Sequence, residues 1–301
     1  MYKLIVENTD IISYSNTIAW NNDSETLGTQ LTFDSIKEFP TGSVVSLWND
    51  SLEIVRGEAI KPTQKRWNYS YVCQDYSFYL KNKVVKQFNN VCASDAISSL
   101  LGGAYIVGDI VSIPTIITKL YKGKTLAEII EDILTLAEAD QGVTYFKEIE
   151  GNILYIRKLE DMIITPNIIL PKDISIEKSM ENMKNRIEVT ASGESNTSIL
   201  AVAEGTSDQQ NFYGLLIDQL TVDDKNTAQA QNIANNALLT SNKIAYQSTF
   251  EVVAVDGGDT IKANRMIYLK AGTRLDGYYK IKSANHTLTK GIHKVNICIV
   301  W

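Results

Sequence analysis

Chemistry-bearing residues are scarce in this sequence. Among 301 residues there are two histidines and three cysteines. Cys73, Cys92 and Cys298 are far apart, odd in number and without CxxC or Cys/His spacing. They indicate neither a disulfide framework nor a structural zinc, and in apolar surroundings they read as small buried hydrophobes. No serine sits in G-x-S-x-G, and neither H-E-x-x-H nor a Walker loop is present. Long apolar runs are missing as well. Nothing approaches the roughly 20 residues that span a bilayer, and the N-terminus lacks a signal-peptide core. Net charge is −6, and the 29 Lys and Arg residues form no run longer than Lys65-Arg66. Binding through phosphates needs a concentrated basic face, so no nucleic-acid specificity and no membrane insertion are expected. The expected setting for synthesis and folding is a cytoplasm.

What the chain does have is strand. The last fifty residues hold four short runs rich in Ile, Val and Tyr: Thr249–Val255, Asn264–Ala271, Gly277–Asn285 and Lys294–Trp301. Glycine turns separate them, and Val295, Ile297, Ile299 and Trp301 alternate with Asn296, Cys298 and Val300. Period two bounded by turns reads as an antiparallel meander that closes a small barrel or sandwich. Residues 1–82 read the same way. Phe33 in Leu31–Asp34 parallels Phe250 in Ser248–Glu251, and later strands and turns follow in matching order. Two readings stand: an internal duplication, or the general likeness of any two antiparallel meanders.

Between these segments the periodicity changes. Cys92–Leu101 is a helix candidate stopped by Gly102-Gly103. Thr125–Asp140 places Leu126, Ile129, Ile130, Ile133, Leu134 and Ala137 on one helical stripe, and Thr125 and Glu128 have capping-box spacing. Val143–Ile149 and Asn152–Lys158 then form a hairpin over Glu150-Gly151. Pro166 and Pro171 bracket a linker, followed by strands at Asn185–Ala191 and Ile199–Glu204 around a polar loop, Ser192–Ser198. Gly205–Asn211 reads as a loop. Asp223-Asp224 reads as an N-cap region for a long helix over Asn226–Tyr246.

Several side chains invite a functional reading. Trp67, Tyr69 and Tyr71 share one strand face, which suits a sugar-stacking platform, a core or a subunit interface. The long helix has an amide-rich face including Asn232, Asn235 and Asn236. That face either packs on another subunit or is a polar surface. Glu128, Glu131, Asp132 and Glu138 lie off the apolar stripe of their helix, and a solvated face accounts for them without a carboxylate-pair site. His286 and His293 sit on adjacent strands across the turn at Thr289–Gly291. A metal would need a third ligand, with Asp276 the nearest carboxylate, so strand histidines satisfied at an edge or in the core are expected.

Several segments resemble the baseplate hub proteins of contractile-tailed phages, the late control protein D family and the corresponding tail protein of defective prophages in Gram-positive bacteria. The most specific is Asp208-Gln209-Gln210-Asn211-Phe212-Tyr213-Gly214, followed by an Ala-rich helix with Ala228, Ala230, Ala234, Ala237 and Leu238. The ending is similar too: Gly277–Ile281, His286-Thr287 and Gly291–Val295. So is the centre: Asp75, Tyr76, Leu80, Phe88, Ser94–Leu101 and Lys124–Leu126. Cys92 stands where a threonine cap is more usual.

The resemblance implies a mainly β fold with α+β insertions. Two related small antiparallel β-barrel domains are joined by a middle α/β module and a long helix insert. The expected divisions are residues 1–82 for the first barrel and 83–165 for the middle module. Residues 166–208 with 247–301 form the second barrel, and 209–246 the helical insert. It also implies a homotrimer without catalytic, cofactor or metal residues. This trimer adapts the sixfold tail tube protein to a threefold central spike protein and meets a baseplate wedge or tape measure protein. Trp67, Tyr69, Tyr71, Phe212, Tyr213, Asn232, Asn235 and Asn236 are candidate interface residues. The expected location is a virion tail or baseplate, or a tail-like bacteriocin, assembled in the bacterial cytoplasm. A carbohydrate- or cell-wall-binding module using the aromatic strand is the alternative, and a wall hydrolase a third reading that lacks an acid pair.

Overall fold

A computed structural model describes residues 1–103, 105–191, 198–222 and 224–301, with side chains for all of these except 224–226. Most of the loop expected at Ser192–Ser198, and Asp223 of the expected N-cap region, lie outside the described residues.

Period-two patterning in the first 82 residues produces β1 (Tyr2–Val6), β2 (Thr9–Asp10), β3 (Ser15–Asp23), β4 (Thr29–Ser35), β5 (Val44–Asn49), β6 (Leu52–Gln64) and β7 (Tyr69–Asp75). In β4 the alternation is strict, with Thr29, Leu31, Phe33 and Ser35 buried and the residues between them half-buried. The strands hydrogen-bond in the order β3-β4-β7-β6-β5-β1. Their inward side chains, among them Leu4, Trp20, Leu31, Phe33, Leu47 and Tyr71, form one core. Fully burying a Leu or Phe side chain contributes roughly 1.5–3 kcal/mol, so this shared interior is what holds the strands to one register.

The middle of the chain follows the expected change of period. It contains β8 (Lys83–Cys92), α1 (Ala93–Leu101), β9 (Val107–Ile110), β10 (Ile116–Thr125), α2 (Leu126–Gln141), β11 (Tyr145–Glu150) and β12 (Ile153–Lys158). The expected capping box is made in full. Glu128 N donates to Thr125 Oγ1 at 3.2 Å, and Thr125 N donates back to Glu128 Oε2 at 2.7 Å. Hydrogen bonds from the Thr125 backbone and hydroxyl hold the Glu128 carboxyl below its ordinary value. The predicted apolar stripe, Ile129, Ile130, Ile133, Leu134 and Ala137, is buried.

Next come β13 (Ile163–Ile164), β14 (Asn167–Ile169), β15 (Glu177–Ser179), β16 (Arg186–Ala191), β17 (Ile199–Glu204), α3 (Ser207–Tyr213), β18 (Ile217–Val222) and α4 (Ala230–Ser241). Two expectations are corrected here. The segment read as a loop at Gly205–Asn211 is largely α3, started by Thr206, whose Oγ1 accepts from Gln209 N at 3.3 Å. None of its residues is buried, so it leaves no apolar period to read. The helix expected over Asn226–Tyr246 is shorter. A 3₁₀ turn over Asp224–Gln229 precedes α4, and Ala245 and Tyr246 pair with Ser179 and Lys178 of β15. In β16, β17 and β18, Ile187, Val189, Ala201, Ala203 and Val222 pack with Ala230 and Ala234 of α4.

The chain ends in β19 (Ala245–Asp256), β20 (Met266–Lys270), β21 (Asp276–Thr289) and β22 (Ile292–Val300). Their order in the sheet is β19-β22-β21-β20, which repeats β4-β7-β6-β5 strand for strand. The likeness of the two segments therefore lies in topology as well as in pattern. β21 also pairs with β3, so the two curled halves share one continuous sheet. Two compact units result. One comprises Met1–Glu131, Thr144–Ser175 and Ser248–Trp301; the other comprises Asp132–Val143 and Ile176–Gln247. The mainly β fold class expected from the sequence is the one observed.

Candidate functional site

The β21–β22 hairpin turns on Lys290 (φ 51°) and Gly291 (φ 78°). Two successive positive φ angles define a turn whose twist suits a two-residue hairpin. The register pairs Leu288 with His293 and His286 with Val295, which sets the two histidines diagonally on one face. The next strand over, β3, places Trp20 opposite His286. Trp20 and His286 stack with ring centroids 4.7 Å apart and planes at 10°. From the other side come Tyr2 of β1, Asn49 at the end of β5 and Asp259 in a 3₁₀ turn over Gly258–Thr260.

These side chains form a buried relay. His286 Nε2 lies 2.7 Å from Ile261 O, and His286 Nδ1 lies 2.9 Å from His293 Nε2. His293 Nδ1 lies 3.0 Å from the Tyr2 hydroxyl, which donates to Asp259 Oδ1 at 3.0 Å. Asn49 Nδ2 donates to Asp259 Oδ2 at 2.7 Å. His286 is 1% exposed and His293 6%, so the rings sit where a charge is poorly solvated. Burial, reinforced by His293, pushes His286 down to about 3. Burial also lowers His293, with Asp259 pulling the other way. Burial and then Asp259 raise the Tyr2 hydroxyl far above its ordinary value. Gly258 is required by this packing: a Cβ there would lie 2.2 Å from Ala254 Cβ and 3.1 Å from His293 Nδ1.

All four ring nitrogens have partners inside the cluster, which suits it to holding protons. Among the described residues no group of three or more His, Cys, Asp or Glu side chains is placed to hold a metal. The sequence leaves strand-edge and core positions open for the two histidines, and both are buried. Their connection to Tyr2, Trp20 and Asp259 was invisible, because those residues are separated by up to 291 positions.

The other candidates are dispersed. Trp67 projects from the β6–β7 turn, 79% exposed, with the Arg66 guanidinium 4.9 Å from its ring. Tyr71 is core: it stacks on Phe33 at 4.9 Å, and its hydroxyl accepts from Phe39 N and donates to Lys37 O. Tyr69 is half-buried and donates to Glu38. The three therefore form no continuous exposed platform. Phe212 is 79% exposed on α3, edge-on to Tyr213. Asn232 and Asn236 donate to the carbonyls of Asp140 and Ala139 at the end of α2, at 2.6 and 2.8 Å. Asn235 is exposed on α4, with its Oδ1 accepting from Gln231.

Folding also gathers charge that the linear sequence scatters. The two-stranded β8–β10 ribbon carries Lys83, Lys86, Lys119, Lys122 and Lys124 and no acidic residue. Lysines on open strands oppose edge-to-edge pairing, which accounts for them structurally. Elsewhere, Lys262 lies 2.7 Å from Glu148 and 2.9 Å from Glu150, and Arg265 pairs with Glu148. This ties β11 to the segment before β20. Burial alone would lower Lys262, but Glu148 and Glu150 outweigh it and raise it.

No helix among the described residues is long and apolar enough to cross a membrane. No curated protein matches the sequence. Solved structures do. A tail protein from Neisseria meningitidis MC58 aligns with TM-score 0.73 and 12% identity, over 100% of this chain and 96% of that one. The 43 kDa tail protein of prophage MuSo2 from Shewanella oneidensis aligns with TM-score 0.70 and 13% identity, over 99% and 97%. The E. coli c3393 protein, described as a type VI secretion component structurally similar to T4 bacteriophage tail proteins gp27 and gp5, aligns with TM-score 0.54 and 7% identity, over 99% and 76%. The fold is thus that of the two tail proteins, along nearly the whole of each chain. The chain itself belongs to the YQBQ-like family, whose model matches residues 18–300.

Proposed function

We propose that this chain is a non-enzymatic structural subunit of a phage tail or tail-like particle, and specifically its axial hub. The observation that carries the reading is the repeated strand order, β4-β7-β6-β5 and β19-β22-β21-β20, within one chain. Three copies of a doubled module present six near-equivalent sheets, which is what a junction between sixfold and threefold assemblies requires. The partners that follow are two further copies, a tail tube protein, a central spike protein and a wedge or tape measure protein. The fold shared with prophage tail proteins over nearly whole chains supports the tail context. The β8–β10 lysines and exposed Trp67 and Phe212 belong on surfaces between components in this reading. Imaging of assembled particles tests it: three copies around the axis, between tube and spike, are expected. A carbohydrate-binding role rests on Trp67, and glycan-array binding abolished by Trp67→Ala would favour that role.

A further inference from the structure

The relay from Ile261 to Asp259 contains four links in series: Ile261 O to His286 Nε2, His286 Nδ1 to His293 Nε2, His293 Nδ1 to Tyr2 Oη, and Tyr2 Oη to Asp259 Oδ1. Each link needs one proton. Two neutral imidazoles and one phenol supply three, and an ionised carboxylate supplies none. The Ile261 carbonyl only accepts, so His286 carries its proton on Nε2 and its Nδ1 is bare. His293 must then carry its proton on Nε2, leaving its own Nδ1 bare. The single Tyr2 proton serves either His293 Nδ1 or Asp259 Oδ1, never both.

We propose that this relay is a binding site for one additional proton, held between His293 and Asp259. With it, His293 Nδ1–H donates to Tyr2, Tyr2 donates to Asp259, and all four links are filled. The charge belongs on His293 rather than His286. His293 Nδ1 is 3.7 Å from Asp259 Oδ1, whereas the cation facing His286 is Lys262, which opposes its protonation. A further proton finds no unfilled link. Trp20 from β3 and Asn49 from β5 carry no charge, and Asp256 at the end of β19 lines the same cleft as His293 and Asp259. Lys294, beside His293 on β22, is exposed and paired with Glu251 at 2.7 Å. A cleft of about 310 Å³, lined by Tyr2, Asn49, Asp256, Gly258, Asp259 and His293, gives solvent protons a route to this end of the relay.

The site lies where β1 and β3 of the first curled half meet β21 and β22 of the second, so its proton occupancy bears on that seam. Burial holds both rings below the ordinary histidine value, so the folded chain binds fewer protons than the unfolded chain just below pH ~6.5. Stability therefore falls with acidification. The folded-to-unfolded ratio drops about tenfold per pH unit for each ring held neutral, easing when the extra proton binds.

Nitrogen-15 NMR of the histidine rings in the full chain tests the proposal. Near pH 7.5 both rings should be Nε2–H tautomers. On acidification His293 alone should become an imidazolium, with His286 remaining a neutral Nε2–H ring. An Nδ1–H tautomer at His286, simultaneous charging of both rings, or no titration of His293 down to pH 4 would each overturn it. Asp259→Asn should weaken proton binding at His293 at least tenfold, and an unchanged titration would contradict the shared site. The wild-type tautomers and titration decide the matter if that variant does not fold, and they are independent of the hub reading.

Discussion

Single side chains in this protein divide into those that fix backbone and those that face outward. Thr125 caps α2 through a reciprocal pair with Glu128, so Thr125→Ala should cost about 1 kcal/mol, measured by chemical denaturation. Gly258→Ala forces a methyl against Ala254 and His293 and should destabilise by about 1–3 kcal/mol, with His293 ring shifts in NMR. Trp67→Ala removes a ring that is 79% exposed and should change the stability of the isolated chain by less than about 0.5 kcal/mol. Any effect of Trp67 on particle assembly would then report a partner surface. At this scale the sequence was informative where a signal is local. Thr125 with Glu128, Gly291 in its hairpin, and the alternation around Leu31 and Phe33 could all be read directly. The relay could not, because Tyr2, Trp20, Asp259 and His293 come from β1, β3, a 3₁₀ turn and β22, far apart in sequence.

Among elements, strands and the amphipathic helices were legible because their apolar residues recur at fixed intervals. α3 leaves no such period, because every residue in it is at least partly exposed and its only marker is the Thr206 cap. The end of α4 is not marked in the sequence, because Asn242 to Tyr246 has no strong breaker and the pairing with β15 that makes Ala245 strand is non-local. The β8–β10 ribbon gives the same lesson for charge. Its five lysines are unremarkable in sequence and become a cluster only when the two strands pair. β11 is fastened to the Lys262–Arg265 segment by a largely buried ion cluster. Removing one partner leaves the others desolvated, so Glu148→Ala should destabilise by about 3 kcal/mol, the low end for a broken buried pair because Glu150 remains nearby. Thermal or urea unfolding reads that loss, and Glu150→Ala, at a more exposed carboxylate, should lose less.

For the whole molecule, the repeated four-strand order is the feature from which the functional reading follows. Any two meanders can share a sequence pattern; the shared strand order as well is what supports the proposal of two copies of one module. In the proposed hub, three such copies meet a sixfold ring, each module standing against one tube subunit. Localisation of the chain by electron microscopy of assembled particles, with the copy number counted at that position, tests this most directly. Three copies around the tail axis, each placing its two four-strand modules against successive tube subunits, are the expected result. A single copy, or a position away from the axis, would contradict the account.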